Sequence, residues 1–213
     1  MSATAWALLG ATLAVAAVDW WATWRERRPV RLIAKPLTLV LLIGVALAID
    51  PVDPRIRAWM VAGLVLSLAG DVFLLFEERL FVFGLGSFLL GHLAYIVGLQ
   101  LAPTSLAGSL VGLAAVVVAV ATVGRRIVAS VRTGDHPELV GPVIVYLVAI
   151  SAMVVSAFGT GAVAAIVGAL LFYASDATLA WNRFVARLRY GGPAVMVTYH
   201  LAQIGLVAWL VAA

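Results

Sequence analysis

The chain has 213 residues, of which 64% are hydrophobic and 11% are charged, and its mean hydropathy is +1.12. A soluble domain of this length could not cover so much apolar surface, so the composition indicates a protein that lies in the lipid bilayer. The sequence contains no cysteine, which excludes disulfide bonds, thiolate metal sites and cysteine nucleophiles. The formal charge of +4 comes from short basic clusters between apolar runs, a pattern that argues against nucleic-acid binding.

Eight apolar segments follow one another along the chain. They are residues 3–21, 34–49, 58–76, 81–100, 106–123, 139–157, 160–181 and 193–212. No basic residue precedes the first segment, so it is predicted to be a retained span rather than a cleaved signal. The connections are brief and no alternating pattern of strands recurs. The sequence therefore predicts an all-α polytopic membrane helical bundle of eight transmembrane helices, with residues 1–213 forming a single integral-membrane domain.

The basic residues predict the orientation of the bundle. Twelve of the 14 Lys and Arg follow the first, third, fifth and seventh segments, and only Arg55 and Arg57 fall on the other side. The twelve are Arg25, Arg27, Arg28, Arg31, Lys35, Arg79, Arg125, Arg126, Arg132, Arg183, Arg187 and Arg189. Because basic connections stay in the cytoplasm, both termini are predicted to be non-cytoplasmic in a multi-pass protein of the cell (inner) membrane.

Two aspartates lie inside apolar segments: Asp71 in SLAGDVFLL and Asp176 in LLFYASDATLAW. A charge at the centre of a bilayer costs roughly 2.5–3.5 kcal/mol even on the mildest scale, so such residues usually line a cavity or pair with a partner. Other polar residues are predicted in the same, cytoplasmic half of the bundle. They are Lys35, Thr38, His92, Tyr95, Tyr146, Tyr199 and Gln203. Together these side chains predict a polar cavity within the membrane.

The two aspartate segments also align with each other. One constant offset places Ala69, Asp71 and Leu74 over Ala174, Asp176 and Leu179. This alignment suggests two four-helix parallel repeats, which would set the carboxylates at equal depth. Chance similarity between apolar helices is the competing explanation. Small residues are expected to let these helices approach closely; they are Gly63, Ser67, Gly70, Gly168 and Ser175.

Five stretches together resemble the YhhN-type lysoplasmalogenases of bacteria and animals. They are KPLT (35–38), SLAGDVFL (67–74), GHLAY (91–95), GALLFYASDATLAWNRF (168–184) and TYHLAQ (198–203). The resemblance covers nearly the whole chain, and its most specific block is FYASDATLA. Its motif positions fall on Asp71, His92, Tyr95, Ser175, Asp176, Tyr199 and Gln203, whereas His200 departs from the aromatic residue expected there.

The resemblance implies an eight-span enzyme that hydrolyses the vinyl ether bond of lysoplasmalogens. The products would be a fatty aldehyde and glycerophospho-ethanolamine or -choline, and the partners would be an alkenyl lysophospholipid and the bilayer. Such a bond breaks when the alkene carbon that is not bonded to oxygen is protonated and water attacks the resulting oxocarbenium ion. In an apolar cavity, desolvation and mutual repulsion would keep one of Asp71 and Asp176 protonated and the other ionised. Which of them holds the proton stays open, because the pair would titrate as a unit.

The remaining polar residues are assigned around this pair. His92 is predicted to orient or deprotonate the water, Tyr95 to donate a hydrogen bond to the ether oxygen, and Lys35 to bind the substrate phosphate. The rest of the predicted substrate-binding set is Thr38, Tyr146, Ser175, Tyr199 and Gln203.

Structural alternatives stand beside these assignments. Asp71 pairs with Lys35 in one of them, and His92 makes only an interhelical hydrogen bond in another. The tyrosines and Gln203 then serve as helix contacts, and Asp19, near the end of the first segment, faces interfacial water.

Two alternatives change the function itself. Asp71, Asp176 and His92 would make three metal ligands with an open position, but no HExxH motif supports such a site, so the sequence predicts neither metal nor cofactor. The other is a small lipid transporter or lipid-binding membrane protein that uses the aspartates as a proton relay.

Overall fold

The computed structural model describes the backbone of residues 1–213 and the side chains of residues 1–76 and 80–213. The side chain of Arg79, one of the basic residues used to predict the orientation, lies outside the described residues. The described residues contain helices and no strand, which confirms the all-α prediction.

Eight long helices follow the chain, with bounds close to the predicted segments. They are α1 (Ala3–Trp24), α2 (Arg28–Leu47), α3 (Pro54–Leu74), α4 (Glu77–Leu101), α5 (Leu106–Thr133), α6 (Val140–Thr160), α7 (Val163–Phe184) and α8 (Gly191–Trp209). Among the described residues, α1 to α7 are long and apolar enough to cross a membrane. The shorter α8 carries Tyr199, His200 and Gln203, which lower its mean hydropathy although all three are buried in the bundle.

Two helices extend furthest beyond the predicted segments. α2 begins at Arg28 rather than at residue 34, and α5 continues past residue 123 to Thr133. Both extensions carry arginines, which are good helix formers, so hydrogen bonding along the helix continues where the apolar run has ended. Within α5, one turn of π-helix spans Val120–Gly124. Composition alone gives no sign of this turn.

The helices pack as four hairpins of consecutive helices, α1 with α2, α3 with α4, α5 with α6, and α7 with α8. α4 also packs against α6, and α8 packs against α1, α2 and α3 as well as α7. Many large apolar side chains point outward, including Trp6 at 60% and Val118 at 63% exposure, as expected of a surface that faces lipid.

Glycines allow several of these helices to approach closely. A Cβ added to Gly168 would lie 2.9 Å from the backbone nitrogen of Leu206 on α8. A Cβ on Gly63 or Gly70 would overlap the rings of Tyr95 and Phe88 on α4. These glycines therefore let α3 approach α4 and α7 approach α8, rather than bringing the two aspartate helices against each other.

Each hairpin has its connection at the same end of the bundle, which is called the basic end below because most arginines lie there. The connections between successive hairpins lie at the opposite end. There the backbone N–H of Val52, between α2 and α3, donates to the carbonyl of the C-terminal Ala213. The N–H of Ser105, between α4 and α5, donates to the carbonyl of Gly159 at 2.7 Å. The orientation in the membrane and the two four-helix repeats stay predictions, since any up-and-down bundle pairs its helices in this way.

Candidate functional site

Two clusters of buried polar side chains lie in the bundle, one around each of the predicted aspartates. The Asp176 cluster consists of Asp176, Tyr146 and His92, and the Asp71 cluster of Asp71, Lys35 and Tyr199. Among the described residues, no hydrogen bond joins Asp71 to Asp176.

The Asp176 cluster is formed by α4, α6 and α7. The hydroxyl of Tyr146 donates a hydrogen bond to Oδ2 of Asp176, and Nε2 of His92 lies 3.7 Å from the same oxygen. The His92 ring packs edge-on against the Tyr146 ring, with 5.2 Å between centroids. Its two nitrogens are buried and have no hydrogen-bond partner among the described residues. Asp176 keeps 14% of its side chain exposed, so its carboxyl remains accessible on the side away from Tyr146.

A cavity of about 80 Å³ lies against the exposed side of Asp176. Its wall is largely apolar and comes from α3, α4, α5, α6 and α7, with Phe81, Phe88 and Ile150 among its members. Tyr146 and Asp176 are the predicted site residues on this wall, and Arg183 adds a cation. This chamber can bring an apolar group against a carboxyl, and it is called the catalytic cavity below after the role proposed for it.

Arg183 follows Asp176 by seven residues on α7, so it lies two turns, or about 10 Å, closer to the basic end on the same face. Its guanidinium carbon lies 4.6 Å from the centroid of the Phe81 ring, which holds the charge over an aromatic face. The cavity therefore has a carboxyl deep in the bundle and a cation toward the basic end.

The Asp71 cluster lies among α2, α3 and α8. Nζ of Lys35 lies 3.2 Å from Oδ1 of Asp71, and the hydroxyl of Tyr199 donates to Oδ2 at 2.9 Å. The two charged side chains are only 5% and 1% exposed. A buried ion pair is costly to break, because the remaining charge loses its partner. The structure thus contains the Asp71–Lys35 pair, which was one of the structural alternatives. Among the described residues, neither side chain lines the catalytic cavity.

Aromatic rings stand between the two clusters. The fully buried ring of Phe172 lies 4.7 Å from the His92 ring and 5.4 Å from the Tyr199 ring, measured between centroids. Phe88 packs against Phe172 at 6.4 Å and against Tyr199 at 5.7 Å. These apolar groups favour two separate acids over one pair that shares a proton.

The remaining predicted binding residues join helices to one another. The hydroxyl of Tyr95 donates to Oε1 of Gln203 at 2.6 Å, which links α4 to α8. The hydroxyl of Ser175 donates to the carbonyl of Val195 at 3.1 Å, and that of Thr38 to the carbonyl of Ala34 at 2.9 Å. In the described part of the chain, none of these side chains lines the catalytic cavity.

Sequence reasoning placed one acid wrongly and overlooked one cation. Asp19 does not face interfacial water: it is completely buried, and neither of its oxygens has a hydrogen-bond partner among the described residues. Asp19 lies on α1, which packs against α2 and α8, two of the helices that form the Asp71 cluster. The spacing of Arg183 from Asp176 was visible in the sequence and would have indicated a shared helix face.

The three side chains considered as alternative metal ligands do not converge. Within residues 1–76 and 80–213, no group of three or more His, Asp or Glu side chains is arranged to hold a metal ion. Asp71 is engaged by Lys35 and Tyr199, while Asp176 and His92 lie in the other cluster.

Comparison with known proteins gives a consistent set of relatives. A model of the YhhN family matches residues 30–210. The chain is 35% identical over 176 residues to a protein of Mycobacterium tuberculosis named lysoplasmalogenase, covering 80% of this chain and 67% of that protein. It is 32% identical over 153 residues to lysoplasmalogenase TMEM86A of Homo sapiens, covering 67% of this chain and 60% of that protein.

Lysoplasmalogenase TMEM86B of Sus scrofa is 32% identical over 141 residues, which cover 66% of this chain and 58% of that protein. The matches thus span about two thirds of the mycobacterial relative and less than two thirds of the mammalian ones. No solved structure matches this chain.

Proposed function

This chain belongs to the YhhN family, and we propose that it hydrolyses the vinyl ether bond of lysoplasmalogens in the catalytic cavity, with Asp176 as the acid. The resemblance found in the sequence is confirmed by the family match, and the curated relatives named above are lysoplasmalogenases. The observation that carries the mechanism is one carboxyl, held by the hydroxyl of Tyr146, on the wall of an apolar cavity inside a membrane bundle.

The reaction begins with proton transfer from Asp176. Its accessible oxygen, Oδ1, carries the proton, because Oδ2 accepts the hydrogen bond from Tyr146. The π electrons of the alkene form the new C–H bond at the vinyl carbon that is not bonded to the ether oxygen, and the ether oxygen shares the positive charge of the oxocarbenium ion. The Asp176 carboxylate left behind stabilises that cation, and it does so strongly because the cavity excludes most water.

The same carboxylate completes the cycle. As water attacks the cationic carbon, Oδ1 of Asp176 takes a proton from it, so the acid is restored and a hemiacetal forms. The hemiacetal then loses its hydroxyl proton to the glycerol oxygen as the carbon–oxygen bond breaks. The two products, a fatty aldehyde and glycerophospho-ethanolamine or -choline, then leave the cavity. Alternating donation and acceptance by one group is ordinary general acid–base catalysis.

His92 and Tyr146 position the acid in this scheme. His92 lies 3.7 Å from Oδ2 of Asp176 and packs between the Tyr146 and Phe172 rings, so it fixes the direction in which the carboxyl points. Lys35 is engaged by Asp71, which leaves the phosphate to another cation. We assign that role to Arg183, on the basic side of the same cavity.

Arg183→Gln tests the phosphate assignment. KM for the alkenyl lysophospholipid should rise by about tenfold while kcat stays within about twofold, because phosphate binding is nearly equal in the ground and transition states. Arg187→Gln, which removes the same charge near the basic end, is the matched control. Equal losses in kcat and KM for Arg183→Gln would indicate a role in chemistry instead.

The membrane orientation is part of the proposal. With the basic end in the cytoplasm, both termini lie outside and the substrate reaches the cavity from the inner leaflet. Reporter fusions at residues 28, 130 and 186 should be cytoplasmic, and a fusion at the C-terminus should be external. A cytoplasmic C-terminus would overturn this orientation.

The direct test uses purified protein in detergent with 1-alkenyl lysophosphatidylethanolamine and added chelator. Wild-type protein should release the fatty aldehyde, and Asp176→Asn should not. The 1-alkyl lysolipid is the matched control substrate, since it keeps the head group and the ether but lacks the alkene. Release of fatty acid from a 1-acyl lysolipid without any aldehyde from the alkenyl lipid would contradict the proposal. So would uptake of the intact lysolipid into proteoliposomes without cleavage, which would favour a transporter.

A further inference from the structure

A second concave surface lies on the outer side of the hairpin formed by α5 and α6. It has a volume of about 610 Å³. From α5 it is lined by Val116, Val120, Gly124, Arg125, Val128 and Arg132, and from α6 by Ile144, Leu147, Val148 and Ser151. This surface is called the α5/α6 groove below. It plays no part in the mechanism described above.

The two concave surfaces differ in what they can hold. Sites for small organic ligands usually measure about 300–1,000 Å³. At about 80 Å³ the catalytic cavity accommodates the reacting bond and its neighbouring atoms but not a whole lysolipid. The α5/α6 groove, at about 610 Å³, falls within the usual range. A lysolipid needs such a surface, because its long chain must lie somewhere while the bond reaches Asp176.

The groove is complementary to a single-chain phospholipid in both shape and charge. Its long walls are apolar, and several of their residues point outward, with Val148 at 63% and Ile144 at 41% exposure. Arg125 and Arg132 lie two turns apart on α5, toward the basic end, and both are exposed. In the described part of the chain no acidic residue lines the groove or forms an ion pair with either arginine. Arginine binds phosphate well because its fork can donate two parallel hydrogen bonds.

The groove and the catalytic cavity share part of their walls. Gly124 and Leu147 line both of them. Gly124 ends the π-helical turn of α5, and a Cβ added to it would lie only 3.1 Å from Cδ2 of Leu147. Thus a glycine and one flexible side chain form the shared wall. π-turns within α-helices often occur at functional sites.

We propose that the α5/α6 groove is the initial docking site for the lysophospholipid substrate, with its phosphate on Arg125 and Arg132 and its chain along the valine wall. In the lipid the glycerol separates the phosphate from the vinyl ether, so the vinyl ether lies level with Gly124. It then passes between Gly124 and Leu147 to reach Asp176. The phosphate moves to Arg183 as the vinyl ether enters the catalytic cavity. This inference rests on the proposed function for the identity of the substrate. The location of the groove comes from the geometry of α5 and α6 alone.

Kinetics with matched charge variants give the first test. Arg125→Gln/Arg132→Gln should raise KM for 1-alkenyl lysophosphatidylethanolamine in mixed micelles by about tenfold and leave kcat within about twofold. The control is Arg126→Gln/Arg187→Gln, which removes two charges from the same end of the bundle but outside the groove. It should change KM by less than about twofold. Equal KM values in the two double variants would overturn the docking site.

A binding test that does not depend on turnover separates this inference from the proposed function. A 1-alkyl lysophosphatidylethanolamine with a diazirine in its chain cannot be cleaved as a vinyl ether, and it labels whatever it touches on irradiation. Peptides from residues 116–133 and 144–151 should carry the label, and unlabelled lysolipid should displace it. Arg125→Gln/Arg132→Gln should lose most of this labelling. Label elsewhere in the chain, with aldehyde still produced, would overturn the groove and leave the proposed function standing. Label in the groove without aldehyde production would support the docking site and overturn the proposed function.

Gly124→Leu tests the passage between the groove and the cavity. Labelling of the groove should persist while kcat falls by about tenfold or more, because the added side chain fills the shared wall. An unchanged kcat in a folded Gly124→Leu variant would contradict passage at this point. The unfolding midpoint in detergent serves as the folding control.

Discussion

Asp71 and Asp176 stand in similar stretches of sequence, yet their neighbours differ in charge. Asp71 faces the ammonium of Lys35 at 3.2 Å and the hydroxyl of Tyr199 at 2.9 Å. Asp176 has the hydroxyl of Tyr146, the ring of His92 at 3.7 Å and an open side toward the catalytic cavity. A carboxylate fixed by a buried lysine is held as a counter-ion, whereas one with neutral neighbours and an open side can exchange protons with a substrate. From this difference we propose that Asp176 carries the chemistry and that Asp71 supports the architecture of the bundle.

The largest expected effect is the loss of turnover in Asp176→Asn. The amide keeps the shape of the side chain and an acceptor for Tyr146, but it has no acidic proton to transfer to carbon. Therefore kcat should fall by at least about 10³-fold, within the range that general acids and preorganised charge supply. The unfolding midpoint should change little, and aldehyde release is the measurement. A folded variant within tenfold of the wild type would remove Asp176 from the mechanism.

Asp71→Asn should act mainly on stability. It leaves Lys35 buried without its partner, which costs about 3–5 kcal/mol in comparable cases. Thermal or denaturant unfolding in detergent would measure the loss. The double variant Asp71→Asn/Lys35→Met should recover much of it, since no buried charge remains and Asn can still accept from Tyr199.

The activity of the folded Asp71→Asn fraction shows whether the two acids act separately or as one unit. It should fall far less than that of Asp176→Asn. If both single variants lose activity equally and the double variant is no worse, the acids act as one unit after all, because groups that act together are strongly non-additive.

Matched tyrosine variants delete one hydroxyl from each cluster. Tyr146→Phe removes the hydrogen bond to Asp176, and since bonds to charged groups contribute about 1.5–3 kcal/mol, kcat should fall by roughly tenfold or more. Tyr199→Phe makes the same deletion beside Asp71 and should lower stability while leaving kcat within about threefold. Measurements of KM, kcat and the unfolding midpoint of both variants show which hydroxyl affects turnover and which affects stability. The reverse pattern would exchange the roles of the two aspartates.

The smallest expected effect belongs to Tyr95→Phe. The hydroxyl of Tyr95 donates to Gln203 at 2.6 Å and lies away from the catalytic cavity. Losing this hydrogen bond should cost about 1 kcal/mol of stability and change kcat by less than about twofold. A large loss of kcat at unchanged stability would instead support the contact with the ether oxygen that the sequence predicted.

Much of the fold follows from composition and pattern. Apolar runs long enough to cross a bilayer can form only helices when backbone groups must be satisfied internally, so the all-α bundle and the approximate helix bounds were predictable. Even α8, whose polar residues lower its hydropathy, was predicted from the apolar residues around them. The π-turn at Val120–Gly124 was not, because it depends on how the backbone of α5 adjusts to its neighbours.

The polar residues of the proposed site could be singled out in the sequence for a related reason. A carboxyl, an imidazole or an ammonium in an apolar segment needs a partner or a cavity, so sequence alone singles out Asp71, Asp176, His92 and Lys35. It also predicted that they share one half of the bundle, and the structure divides them between two clusters.

The tertiary structure decided which partner each group has. The Tyr199–Asp71 contact joins residues 128 positions apart, and the Tyr146–Asp176 contact joins two different helices. Which faces of these helices meet depends on packing over the whole core, including the close contacts at Gly63 and Gly168 and the rings of Phe88 and Phe172. Sequence determines that buried charges must be compensated. Only the packed bundle determines that Lys35 compensates Asp71 and leaves Asp176 facing the cavity.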